Sequence, residues 1–192
     1  MKKLIFAFII LVFISGCVGE EKTRIDDFHA YLDKNLLTFR ANLTLARDVE
    51  INFSGGTCKE MLYPEMFYKT IYIAFIPNET ENAFYAVTGS EIGKYVIMYR
   101  YFYDVAPEIK PVSVNSPKEA ANMVSEKDFV ILMLGPSHTN RTGVTLYKNF
   151  VVIEGRSLDE TNRTWTDLDL AFDRFLLCIL DEANRYIEKL KT

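Results

Sequence analysis

The sequence predicts an α/β fold, a mixed sheet with helices on its faces, completed by a hairpin and a long C-terminal helix. Three observations predict it. Residues 129–134, Phe-Val-Ile-Leu-Met-Leu, are continuously apolar over a strand's length, as in a strand buried on both faces. Strand-like and helix-like segments alternate before it, so helical crossovers join the central strands and make them parallel. The chain closes on a helical stripe, Leu168, Phe172, Phe175, Ile179, Ala183, Tyr186 and Leu190.

The elements follow in order. Thr23 and Asp26 resemble a capping box, and Ile25, Phe28, Leu32, Leu36 and Phe39 recur at helical spacing. Leu37, Phe39, Ala41, Leu43 and Leu45 then alternate with polar residues, which predicts a helix to about residue 35 followed by an extended stretch. Val49, Ile51 and Phe53 suggest a short strand before Gly55-Gly56. Residues 70–76 are β-branched and aromatic and stop at Pro77, a strand. Segment 82–102 places Phe84, Val87, Glu91, Tyr95, Met98 and Phe102 on one helical face, which Gly89 and Gly93 weaken. Read as a strand, it would make the fold α+β. Residues 109–114 read as a strand. Ser116-Pro117 supplies an N-cap and a proline at the first helical position of a helix over 117–126. Gly135-Pro136 ends the buried strand. Residues 144–147 and 150–153 form a hairpin turning at Lys148-Asn149, and Thr166 or Asp167 caps the last helix.

The N-terminus has a different character. Lys2 and Lys3 precede an apolar stretch at 4–14, then Ile14-Ser15-Gly16-Cys17. The stretch is short of the roughly 20 apolar residues that span a bilayer. The run resembles the lipobox of prokaryotic lipoproteins, in which the cysteine is lipidated and becomes the first mature residue. The resemblance covers only these 17 residues. It implies a signal peptide at 1–16, lipidation of Cys17, a short tether to residue 24 and a single domain over 25–192. Two acyl chains hold a protein at a membrane where one does so only marginally, so a diacyl or diether anchor implies a cell-membrane protein facing outside the cytoplasm. An uncleaved anchor running through Val18, or a secreted chain with an incidental Cys17, are the other readings.

Composition bounds the rest. The chain is 49% hydrophobic and 25% charged, which argues against disorder. A net charge of −4 without a basic cluster argues against nucleic acid as a partner. Besides Cys17 there are only Cys58 and Cys178. In an oxidising compartment they can form a disulfide, but the stronger reading is that Cys178 packs as a small apolar residue within Phe175-Leu176-Leu177-Cys178-Ile179-Leu180. Asn-X-Ser/Thr sequons start at Asn42, Asn52, Asn78, Asn140 and Asn162, where eleven asparagines would give about one by chance. A lipobox with so many sequons resembles an archaeal cell-surface lipoprotein. Asn78, Asn140 and Asn162, in polar loop-like stretches, are the expected glycan acceptors, whereas Asn42 also suits a helix N-cap.

Chemistry is sparse. The loop Gly135-Pro136-Ser137-His138-Thr139-Asn140 follows the most buried strand, and ligands of open α/β sheets gather outside the carboxyl ends of strands. Ser137 and His138 are therefore the catalytic candidates of a hydrolase reading, which requires His138 in a cleft within reach of a carboxylate. Asp159, Glu160, Asp167, Asp169 and Asp173 are candidates for a divalent cation, although acids near a helix start already suit its dipole, and the face of Asp169 and Asp173 can simply be solvated. His29 with Asp26 and Asp33 is a weaker metal constellation. Tyr95, Tyr99, Tyr101 and Tyr103 suit carbohydrate or partner recognition at a surface, or a core boundary. No phosphate-binding loop, dinucleotide fingerprint, Cys-X-X-Cys pair or zinc-protease motif occurs, and no cofactor is expected. The expectation is a non-catalytic binding or scaffolding module with an envelope protein or carbohydrate as partner. A hydrolase and a small solute-binding lipoprotein are the alternatives; the last needs an apolar-lined pocket with converging polar groups.

Overall fold

A computed structural model describes residues 41–62, 68–93, 95–96, 106–159 and 165–191. Cys17, the helix expected at 25–35 with His29, Asp26 and Asp33, the tyrosines Tyr99, Tyr101 and Tyr103, and Glu160 and Asn162 lie outside the described residues. The strands are β1 (Glu50–Phe53), β2 (Thr70–Phe75), β3 (Glu108–Ser113), β4 (Asp128–Leu134), β5 (Gly143–Tyr147) and β6 (Phe150–Glu154). The helices are α1 (Leu43–Asp48), α2 (Cys58–Leu62), α3 (Asn82–Ser90), α4 (Pro117–Asn122) and α5 (Asp167–Lys191).

The strands form one mixed sheet in the order β1-β5-β6-β4-β2-β3. β6, β4, β2 and β3 are mutually parallel, whereas β5 is antiparallel to β6 and carries β1 parallel to itself. The fold is α/β. Segment 82–90 is helical, which removes the α+β alternative, and helical backbone recurs at 92–93 and 95–96. The hairpin turns at Lys148-Asn149, and Asn149 takes the left-handed conformation with φ 58° that a tight turn needs and asparagine tolerates. Its carboxamide also accepts from the Tyr68 hydroxyl (3.1 Å) and donates to the Ser125 carbonyl (3.0 Å), which ties the turn to the start of β4.

Period-two alternation assigns the faces of the sheet. Ile71, Ile73, Phe129, Ile131, Met133, Val144, Leu146, Val151 and Ile153 share one face by register, and all are buried. Helix α5 brings Leu168, Phe172, Phe175 and Ile179 to the core. There Phe129, Phe175 and Tyr95 pack ring on ring at centroid distances of 6.0 to 6.3 Å. The opposite face buries Ala74, Val130, Leu132, Leu134 and Phe150 with Ala120 of α4.

Four local expectations change. Residues 43–48 are helix, not extended, because Asn42 Oδ1 accepts from the Thr44 and Leu45 amides at 3.0 and 3.2 Å and starts a turn there. Helix α4 ends at Asn122, short of 126. Helix α3 buries Tyr85 and Thr88, in line with Glu81, Ile92 and Tyr95, so its inner face is one residue round from the expected one and leaves Val87 exposed. Helix α5 is buried on more than its stripe: Leu170 and Leu177 pack with Ala41 and Ala46 on its other side.

That second burial overturns the solvated face for Asp169 and Asp173, which are 2% and 0% exposed. Asp173 Oδ2 accepts the Ala41 amide at 2.8 Å. Thr166 caps α5 in a reciprocal box: Asp169 N donates to Thr166 Oγ1 (3.1 Å), and Thr166 N donates to Asp169 Oδ2 (2.9 Å). The other Asp169 oxygen accepts the Thr88 hydroxyl of α3 at 2.6 Å, which joins the two helices.

Cys58 and Cys178 form a disulfide, with Cα atoms 5.6 Å apart. Thr57 and Glu60 make a second reciprocal cap, which starts α2 and presents Cys58. The bond closes α2 onto α5 across 120 residues of sequence. Replacing both cysteines by serine should lower the unfolding free energy by about 4–5 kcal/mol, the chain-entropy value for so long a loop. Equilibrium denaturation of the oxidised protein against the double variant measures this, and coincident midpoints would refute it.

Candidate functional site

The loop after β4 lies between two buried carboxylates. Glu81 sits at the N-cap position of α3, beyond the end of β2. Glu154 ends β6 and pairs in register with Leu134. Both are nearly inaccessible, at 2% and 8% exposure, and both point their oxygens at the loop.

On the Glu81 side, the Tyr85 hydroxyl one turn along α3 donates to Oε2 at 2.5 Å. The same hydroxyl accepts the Gly135 amide at 2.9 Å. The Ser137 amide donates to Glu81 Oε1 at 2.9 Å. A side chain at Gly135 would collide with the Glu81 carboxylate and the Tyr85 hydroxyl, so the approach requires glycine. Asn78 Nδ2 donates to Ser137 Oγ at 3.0 Å. On the other side, Thr139 Oγ1 donates to Glu154 Oε1 at 2.9 Å, and Arg141 Nε donates to Oε2 at 2.6 Å. Arg141 Nη2 pairs with the same carboxylate and donates to Thr145 Oγ1 at 2.9 Å. Thr142 Oγ1 donates to Asp167 at 3.0 Å.

The loop therefore has residues tied to the body and residues that are not, and Ser137 and Arg141 of the tied set are themselves exposed. Gly135, Ser137, Thr139, Arg141 and Thr142 are tied to the body. His138 and Asn140 alternate with them and are exposed.

Electrostatics match this arrangement. Burial pushes the Glu81 carboxyl up, but hydrogen bonds from Ser137 and Tyr85 and the charge of His138 outweigh it, and the net shift is downward. Burial, with the bond to Glu81, pushes the Tyr85 hydroxyl well above the usual tyrosine range. The bond to Glu154 raises the Arg141 guanidinium further, against some desolvation.

The candidate residues separate on this geometry. Ser137 and His138 do not form a relay: Ser137 Oγ accepts from Asn78, while the exposed His138 makes no side-chain hydrogen bond among the described residues. Asp167 accepts from Thr142 and from Arg156 Nε (3.3 Å), Asp169 from Thr88 and Thr166, and Asp159 is exposed. Among the described residues no three His, Cys, Asp or Glu side chains gather as a metal site. Tyr95 is fully buried and donates to the Met61 carbonyl at 2.5 Å, so it belongs to the core rather than a recognition surface. Sequence reasoning missed Glu81 and Glu154. The one available signal was that each immediately follows a strand or opens a helix at the carboxyl edge of the sheet.

A groove of about 520 Å³ adjoins this site between α3 and the β2–β3 end of the sheet. Ile73, Phe75, Ile109, Pro111 and Met133 line it, and Tyr85 is common to both features. Its polar side chains are turned to internal partners: Tyr85 to Glu81, Ser90 Oγ to the Val87 carbonyl (2.6 Å), and Asn82 Oδ1 to the Asn78 amide (3.0 Å). Among the described residues the groove is mainly apolar, and the side-chain bonds of its Tyr85, Ser90 and Asn82 run to internal partners rather than into it. Among the described residues no helix is long and apolar enough to cross a membrane.

Among known proteins, no family model, no curated protein and no solved structure matches this chain.

Two outcomes follow from the Glu81 tie. Glu81→Gln sets an amide against two donors, and should cost roughly 1–3 kcal/mol of stability, read by chemical denaturation. A variant as stable as the parent would show that the tie is incidental. The folded state also binds the Glu81 proton less tightly than the unfolded chain. Its contribution is complete above the ordinary glutamate range and is lost as the pH falls through the lowered folded value. The acid limb of stability against pH should accordingly be shallower in Glu81→Gln. Parallel limbs would contradict the downward shift.

Proposed function

We propose that the protein is a cell-surface lipoprotein, held at the membrane through Cys17, whose α/β domain is a non-catalytic binding or scaffolding module of the envelope. The observation that carries the non-catalytic part is the state of the loop at the carboxyl edge of β4. Its hydroxyls, its arginine and both flanking carboxylates are engaged in holding the loop, and its exposed histidine, whose charge acts on Glu81, makes no side-chain hydrogen bond to a carboxylate among the described residues. A general base needs a second group to orient it and a nucleophile within reach. A rigid loop with outward side chains instead suits recognition, because little ordering entropy is lost on binding.

The disulfide supports the location. Bonds of this kind persist outside the reducing cytoplasm. The lipobox resemblance at Ile14-Ser15-Gly16-Cys17 supplies the anchor, and the engaged polar atoms of the groove count against solute capture.

Intact-mass measurement of the protein extracted from its native membrane tests the anchor. A chain beginning at Cys17 with the added mass of a lipid is the expected result. A chain that keeps residues 1–16 without lipid would replace the lipoprotein reading with an uncleaved anchor.

A further inference from the structure

The sequons divide into two groups on the folded domain, and the division follows the outer strand β1 of the sheet as it stands among the described residues. Strand β1 is the outer strand beside β5. An exposed edge strand offers unpaired backbone groups to other chains, and folded proteins cover or blunt it. Strand β1 and the helix just before it in sequence carry exposed apolar side chains. Leu43, Leu45 and Phe53 are 45%, 47% and 56% exposed, and they make up half of the six large apolar side chains exposed among the described residues. Leu43 and Phe53 are the central residues of the sequons at Asn42 and Asn52, and Leu45 directly follows the first of these. Asn140 lies three residues before Gly143, which pairs with Glu50 at the start of β1.

Asn42 and Asn140 are exposed, and Asn52 is half-buried. Asn42 caps α1 through its oxygen alone, which an N-linked sugar leaves in place. Asn52 Nδ2 donates to Glu50 at 3.1 Å, a bond to its own exposed neighbour. The nitrogen has two hydrogens and keeps one after substitution. Asn140 is exposed and makes no side-chain hydrogen bond among the described residues. Asn78 is half-buried like Asn52 and differs in its partner: its oxygen accepts from Thr80 N (3.0 Å) and Thr80 Oγ1 (2.7 Å), and its nitrogen donates to Ser137 on another element, 59 residues away. A sugar there would have to enter the contact between the α3 cap and the loop after β4.

We infer that N-linked oligosaccharides on Asn42, Asn52 and Asn140 cover the β1 edge and its exposed apolar side chains, while the sequon at Asn78 stays bare. In each transfer the Asn Nδ2 attacks the anomeric carbon of a phosphate-activated sugar donor. The C–N bond forms, the C–O bond to phosphate breaks with its electron pair leaving on the phosphate, and one amide proton passes to base. The inference rests on the envelope location proposed above.

Site-resolved mass spectrometry of the protein extracted from its native membrane tests it. Sugar-sized increments at Asn42, Asn52 and Asn140, with unmodified Asn78, are the expected pattern. Any other occupancy of these four positions overturns it. A bare chain that begins at lipidated Cys17 would end the glycan inference and leave the location standing, whereas an unlipidated chain keeping residues 1–16 would remove the location itself. In the same host, Asn52→Gln should self-associate at lower protein concentration than the parent by light scattering, and equal behaviour would contradict edge shielding.

Discussion

The fold depends on holding α5 against one face of the sheet. This helix is closed in on two sides, by the sheet at β5, β6 and Phe129, and by Ala41 and Ala46, which pack with its Leu170 and Leu177. Burying it so completely draws Asp169 and Asp173 away from water, and a buried carboxylate is tolerable only with donors in place. Thr166 and Thr88 supply them for Asp169, and the Ala41 amide supplies one for Asp173. The acids that look like metal ligands in sequence thus fasten α5 to α3 and to the chain before α1. The disulfide at Cys178 adds a covalent stop farther along the helix.

The loop after β4 follows the same rule on a smaller scale. Glu81 and Glu154 are placed where an α/β protein commonly binds a ligand, yet their oxygens face the loop itself. The edge is consequently firm, with His138 and Asn140 presented outward.

Much of the fold was legible in the sequence. The apolar run at 129–134, the Ser116-Pro117 start and the Lys148-Asn149 turn each specify their element through local chemistry alone, and the structure has all three. The failures share a cause. The expected inner face of α3 missed by one residue because its true positions include Glu81 and Thr88, polar residues that count as exposed until their partners are known. Those partners, Ser137 and Asp169, lie 56 and 81 residues away, beyond any periodicity. The helix at 43–48 was hidden because Leu43 and Leu45 alternate like strand residues, although Asn42 advertised the cap. The loop follows β4 at the carboxyl edge of the sheet as its sequence places it, but its internal wiring depends on Tyr85, Asn78 and Glu154, which contact the loop only after folding.

Disulfide mapping most directly tests the claim that α5 is stapled over the sheet in an oxidising compartment. Thiols would be blocked at lysis of the native cells, the protein digested without reductant, and the peptides sequenced by mass spectrometry. A linked pair containing Cys58 and Cys178 is the predicted result. Both cysteines recovered in blocked, unlinked peptides would contradict the staple and remove the main structural support for a domain outside the cytoplasm.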